Sequence, residues 1–175
     1  RILMEVTRVN KLLNDFRRLT KPSHMNFSRC SLNILVRYTV DVMSPKANMG
    51  QVDIKLTMPK EDIFAKVDRD SIQQVFANLI ENAIQAMEKG GTLSIRLLKE
   101  KESNKAVIEF QDTGVGIPEE NLSEIFKLFY TSKKTGSGLG LILCQNIIKN
   151  HRGYIRVRSK VGAGTTFSVE IPCIE

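Results

Sequence analysis

Apolar side chains recur along this chain with two periods. At Ile2, Val6, Val9, Leu13 and Phe16 the steps alternate between four and three, and Leu3, Leu12 and Leu19 widen the stripe, which predicts an amphipathic helix over residues 1–19. The stripe fits either a helix lying on its own domain or the end of a longer helical hairpin cut at Arg1. The absence of an N-terminal cap of its own favours the hairpin. Lys21-Pro22-Ser23 ends this helix, because proline disfavours helical geometry in the residue before it. Ser31 is a candidate N-cap for a second helix from Leu32 to about Met43, closed by Ser44-Pro45. The period then drops to two over Val52–Thr57 and Phe64–Val67, predicting short strands.

Asp70, with Gln73 three residues on, predicts a capping box for the longest internal helix. Its core face is Val75, Leu79, Ala83 and Ala86 or Met87, and Gly90-Gly91 ends it. Strands are expected over Thr92–Leu98 and Lys105–Asp112, then a helix over Leu139–His151. Tyr154–Ser159 and Thr165–Ile171 alternate cleanly, with Ile155, Val157, Phe167, Val169 and Ile171 on one face and Arg156, Arg158, Ser168 and Glu170 on the other. One apolar and one polar face predict an antiparallel sheet covered by helices on a single side.

Composition narrows the class. At 175 residues, with 42% hydrophobic and 26% charged side chains, the chain fits one globular domain, or one domain with an appendage. It has no apolar run long enough to span a membrane and no secretory leader. Cys30, Cys144 and Cys173 are odd in number and far apart, which argues against disulfides and zinc and for a reducing, cytoplasmic setting. The net charge of +7 is scattered and lacks interleaved aromatics, so it points away from nucleic acid and towards ATP or an acidic partner protein.

The candidate chemistry lies between Asp112 and Leu141. Asp112-Thr113-Gly114-Val115-Gly116 puts a carboxylate at a strand end before two glycines, and Gly136-Ser137-Gly138-Leu139-Gly140-Leu141 puts three glycines at a helix start, where free N–H groups receive phosphate. The second cluster is neither a P-loop nor a dinucleotide fingerprint. On the long helix, Asn78, Asn82 and Gln85 fall on one polar edge.

These residues resemble, in order, the boxes of sensor histidine kinases. Asn78-Leu79-Ile80-Glu81-Asn82-Ala83 resembles the N box, Asp112–Gly116 the G1 box, Phe126–Lys133 the F box and Gly136–Leu141 the G2 box. Gly162-Ala163-Gly164-Thr165-Thr166-Phe167 is similar to the last glycine motif of the same catalytic domain. The resemblance covers about residues 70–172. It implies an α+β two-layer sandwich shared with gyrase, heat-shock chaperones and mismatch-repair ATPases, with a mixed, mostly antiparallel sheet and helices on one face.

The resemblance further implies ATP and Mg2+ as ligands. Asp112 would accept a hydrogen bond from the exocyclic amine of adenine, with Gly114, Gly116 and Ile117 beside the base and Thr165 completing the pocket. Asn82 would be the Mg2+ ligand. Phe129, Thr131, Ser132 and Lys133 would lie on the lid, with Lys133 contacting phosphate, and Gly136, Ser137, Gly138, Leu139, Gly140 and Leu141 would present amides to the phosphates. Gln85 and Ala86 stand where many relatives have a basic and an aromatic residue. Asn78 occupies the position where hydrolytic relatives carry a water-activating glutamate, and an amide cannot be a general base. Asn78 and Lys133 are therefore the candidate catalytic residues, for phosphoryl transfer rather than rapid hydrolysis.

By the same resemblance, residues 1–20 would end the second helix of a dimerisation hairpin, 21–30 would be a linker and 31–175 the ATP-binding domain. Neither His24 nor His151 matches the phospho-accepting histidine, so the acceptor would lie on an absent part of that hairpin. The phosphoryl group would pass on to a response-regulator receiver domain, and the parent would be a homodimer. The alternatives are an ATP-driven conformational ATPase of the same superfamily and a non-catalytic nucleotide- or protein-binding module.

Overall fold

The computed structural model describes residues 13, 25–100, 102–131 and 136–174. Its elements are β1 (Phe27–Ser31), α1 (Leu32–Met49), β2 (Val52–Thr57), β3 (Phe64–Asp68), α2 (Arg69–Ala86), β4 (Gly91–Glu100), β5 (Lys105–Asp112), α3 (Gly140–Asn150), β6 (Tyr154–Lys160) and β7 (Gly164–Pro172), with a short 3-10 turn at Glu119–Asn121. Five strands form one sheet in the order β2-β4-β5-β7-β6. β2 and β4 run parallel and the other neighbours antiparallel. The sheet is mixed because β3 and α2 intervene between β2 and β4 as a crossover. The three helices pack on one face in the order α1, α2, α3.

The core lies between α2 and the sheet. Ile72, Val75, Phe76, Leu79 and Ile80 are almost wholly buried, as are Ile95, Ile108, Phe110, Val169 and Ile171 beneath them. Each such side chain contributes about 1.5–3 kcal/mol of burial free energy. The Phe76 and Phe110 rings meet at 5.6 Å in a tilted pair. On the opposite face, Glu109 lies under Arg96 and Arg158, and Glu170 under Lys105 and Arg156, in cross-strand charge ladders.

Three local expectations are corrected. The helix expected to close at Ser44-Pro45 continues to Met49 with Pro45 inside it. Ser44 Oγ donates to Val40 O at 2.7 Å just before the break in the ladder. Buried Ala47 and a 2.7 Å Lys46–Glu81 ion pair hold the last turn against α2. The capping box expected at Asp70 is replaced by Asp68, whose extended backbone precedes α2 and whose Oδ1 accepts from Ser71 N at 2.8 Å.

The third correction is that residues 27–30, read as linker, belong to a strand. β1 pairs antiparallel with β3 in a separate two-stranded sheet. Asp68 Oδ2 accepts from Asn26 N at 2.8 Å, so the cap of α2 also fixes the start of β1. The buried His151 closes the same corner. Its Nδ1–H donates to Ile147 O at 2.7 Å, its Nε2 accepts from Asp68 N at 2.9 Å, and its ring meets Phe27 at 4.9 Å. Burial holds its pKa below the ordinary value of 6.5, against the opposing pull of the Ile147 carbonyl and the Asp68 charge.

Candidate functional site

The site forms where β5, the end of α2, the start of α3 and the β6–β7 turn converge. Asp112 ends β5 and is buried, with 4% of its surface exposed. Its Oδ1 accepts from Gly114 N at 2.8 Å and Thr165 N at 3.1 Å. Two backbone donors on one oxygen fix the plane of the carboxylate and satisfy two buried amides.

The loop after Asp112 is seated on α2. Val115 N donates to Ala86 O at 3.1 Å, and a Cβ on Gly114 would stand 2.6 Å from that same oxygen, so only glycine fits. Gly116 has φ +74° and sits against the Lys160 carbonyl. Ser159 Oγ accepts from Ile117 N at 2.8 Å, donates to Gly164 O at 3.0 Å and lies 2.8 Å from Thr165 Oγ1. Thr165 therefore touches Asp112 through its backbone while its hydroxyl faces Ser159. Ser159 was not singled out from the sequence, where it reads as one more polar residue of an alternating strand.

The polar edge of α2 faces the start of α3. Asn78 Nδ2 approaches Cys144 Sγ at 3.7 Å, and a Cβ on Gly140 would lie 4.0 Å from the same nitrogen. Asn78 and Asn82 are half-buried. Gln85 is exposed and donates to Glu81 Oε1 at 3.2 Å. The buried Cys144 thus touches Asn78.

The lid is clasped at its base. Phe129, at φ +63°, donates its N–H to Gly138 O at 3.1 Å, and Gly138, at φ +66°, has no room for a Cβ against Phe129. Thr131 is exposed, Gly136 and Ser137 are half-buried, and Ser137 Oγ accepts from Leu139 N at 3.2 Å. Leu139 is buried and Leu141 packs against the core, so the α3 start is anchored while its first N–H groups have no intrahelical partner. Ser132, Lys133 and Lys134 lie outside the described residues, as do residues 1–20 apart from Leu13.

Residues 67–175 match the family described as histidine kinase-, DNA gyrase B- and HSP90-like ATPase. The chain belongs to this ATPase family. It is 34% identical to sporulation kinase C of Bacillus subtilis over 98% of its own length and 40% of that protein's. It is 33% identical to the sensor histidine kinase ZraS of Salmonella typhimurium, over 97% and 36%. It thus spans about 40% or less of these curated relatives. Among solved structures, the nucleotide-free catalytic domain of histidine kinase ThkA superposes with a TM-score of 0.76 at 34% identity, covering 85% of this chain and 98% of that one. ThkA in complex with the response regulator TrrA gives 0.83 at 29%, covering 99% and 49%.

Among the described residues there is no cluster of three or more His, Cys, Asp or Glu side chains able to hold a metal ion. Asn82 offers a neutral amide oxygen, which suits a Mg2+ otherwise held by phosphates and water. No helix among the described residues is long and apolar enough to cross a membrane.

Proposed function

We propose that the chain is the ATP-binding catalytic domain of a sensor histidine kinase, with the end of its dimerisation helix over residues 1–20 and a linker before the domain. It binds Mg-ATP and delivers the γ-phosphoryl group to a histidine on the preceding hairpin, for relay to a receiver-domain aspartate. The adenine amine donates to Asp112, whose orientation by Gly114 N and Thr165 N is set before the base arrives. The phosphates meet the amides of Gly138–Leu141 at the α3 start, where the helix dipole favours negative charge. Mg2+ neutralises phosphate charge when bound, with Asn82 as its protein ligand, and Lys133 adds a phosphate contact from the lid.

The observation that carries transfer over hydrolysis is Asn78. It faces the phosphate-binding end of α3 with an amide, which cannot deprotonate water. Catalysis then rests on positioning and charge neutralisation. The kinase names of the relatives and the response regulator bound to ThkA support the same assignment. The test is to mix the chain with γ-labelled ATP and the parent's hairpin supplied as a separate polypeptide. Label is expected on the hairpin histidine. Steady phosphate release without label on the hairpin, lost in Asn78→Ala, would instead support the conformational ATPase. Tight ATP binding with neither outcome would support a binding module.

A further inference from the structure

Where α3 packs on α2, the wholly buried Cys144 meets the second helix at two points. Its Sγ–H donates to Val75 O at 3.9 Å, and its Sγ accepts from Asn78 Nδ2 at 3.7 Å. Val75 and Asn78 are three residues apart, so they share the strip of α2 that faces α3. Gly140, four residues before Cys144, lies on the matching strip of α3, and a Cβ there would stand 4.0 Å from Asn78 Nδ2.

The chemistry of these atoms gives the contact a direction. A backbone carbonyl can only accept, so the single thiol proton goes to Val75 O. The sulfur is left with lone pairs alone, and it receives Asn78 by its Nδ2–H and not by its Oδ1. The amide cannot then turn end for end without giving up that bond. One of its two orientations is selected, with Oδ1 and the second Nδ2 hydrogen as the groups available to a ligand. Gly140 lets the amide lie close to the first turn of α3 with no side chain between them.

We propose that Cys144 is a positioning residue for phosphoryl transfer: it fixes the orientation of the Asn78 amide beside the phosphate-binding start of α3 and touches no ligand itself. The inference rests on the role of Asn78 proposed above. Serine both donates and accepts, so it can take over this task; valine is close to cysteine in volume but does neither. A cysteine that only fills space predicts the reverse order, because a buried apolar contact tolerates valine better than a hydroxyl.

The test compares Cys144→Ser and Cys144→Val with the unsubstituted 175-residue chain, thermal melts establishing that each is folded. The first readout, without nucleotide, is the solvent exchange of the Asn78 side-chain amide protons by NMR. It is expected to be slow for one proton in the unsubstituted chain and in Cys144→Ser, and about 10-fold faster in Cys144→Val. The second is transfer from γ-labelled ATP to the parent's hairpin, with ATP affinity measured by calorimetry. Cys144→Val should slow transfer about 10-fold at unchanged affinity, Cys144→Ser should stay within about twofold, and Cys144→Val should add nothing to Asn78→Ala. Full activity in Cys144→Val, a Cys144→Ser chain slower than Cys144→Val, or a full additional loss on top of Asn78→Ala would overturn the proposal. If the unsubstituted chain labels no hairpin, the kinase reading fails. The exchange rates still decide the contact, and equal rates in Cys144→Val and the unsubstituted chain would overturn it.

Discussion

Replacing Asp112 by asparagine separates its two duties. The carboxylate Oδ1 accepts from Gly114 N and Thr165 N, and an asparagine keeps those bonds only by turning its carbonyl oxygen to them. Its amide nitrogen then takes the position of Oδ2 and presents a donor to the adenine amine. The variant loses a hydrogen bond to a charged acceptor, about 1.5–3 kcal/mol, or roughly 10- to 150-fold in ATP affinity. An inosine base, with a carbonyl where adenine has its amine, should lose much less, so the preference for ATP over ITP should collapse. Asp112→Ala is the blunter change, because it orphans two buried N–H groups and costs roughly 2–6 kcal/mol of stability. Titration calorimetry of Mg-ATP and Mg-ITP into both chains, with thermal melts alongside, reads the two duties independently. Equal losses for ATP and ITP, or an undiminished ATP affinity, would refute the base assignment.

Other consequences follow from the same geometry. Gly164→Ala puts a Cβ 2.0 Å from Asp112 O at a φ of +93°, so thermal denaturation should show a loss above about 3 kcal/mol, beyond left-handed strain alone. His151 is held neutral, with a folded pKa below its ordinary 6.5, so the unfolded chain binds more protons as pH falls. Stability should therefore decline as pH drops below 6.5 and level off below the folded value, and urea titrations of His151→Gln should show less of that slope. Mg2+ alone should give no binding heat in calorimetry, whereas Mg2+ added with ATP should, and Asn82→Ala should raise the Mg2+ concentration that ATP binding needs.

How much of this was legible in the sequence depended on whether an element's cause is local. β2 and β5 match their predicted bounds, and Val75, Leu79, Ala83 and Met87 are buried as the helical period required. β1 was not legible because Phe27-Ser28-Arg29-Cys30-Ser31 has no alternating pattern. Its order comes from β3, the Asp68 carboxylate and the His151 ring, all distant in sequence. Pro45 misled for a similar reason: a local rule for helix ends was overridden by the packing of Ala47 and the pairing of Lys46 with Glu81. The parallel pairing of β2 with β4 is a property of the crossover, which alternation within either strand cannot encode.

In the site, the side chains proposed to touch ligands are those the motifs name. The residues that hold the site in shape are not. Ser159 tethers Ile117 to Gly164, and Cys144 touches Asn78, yet neither carries a pattern of its own. Glycines 114, 116 and 138 were expected to line a ligand, and each is first required by a backbone that leaves no room for a Cβ.

The most direct measurement is an amide NMR titration of the chain with a non-hydrolysable Mg-ATP analogue. The perturbed amides should be those of Gly114, Ile117, Thr165, Asn78, Asn82 and Gly138–Leu141, saturating together, while Ile34, Tyr38 and Val42 stay unmoved. Saturable shifts confined to Ile34, Tyr38 and Val42, or none anywhere, would contradict the nucleotide site.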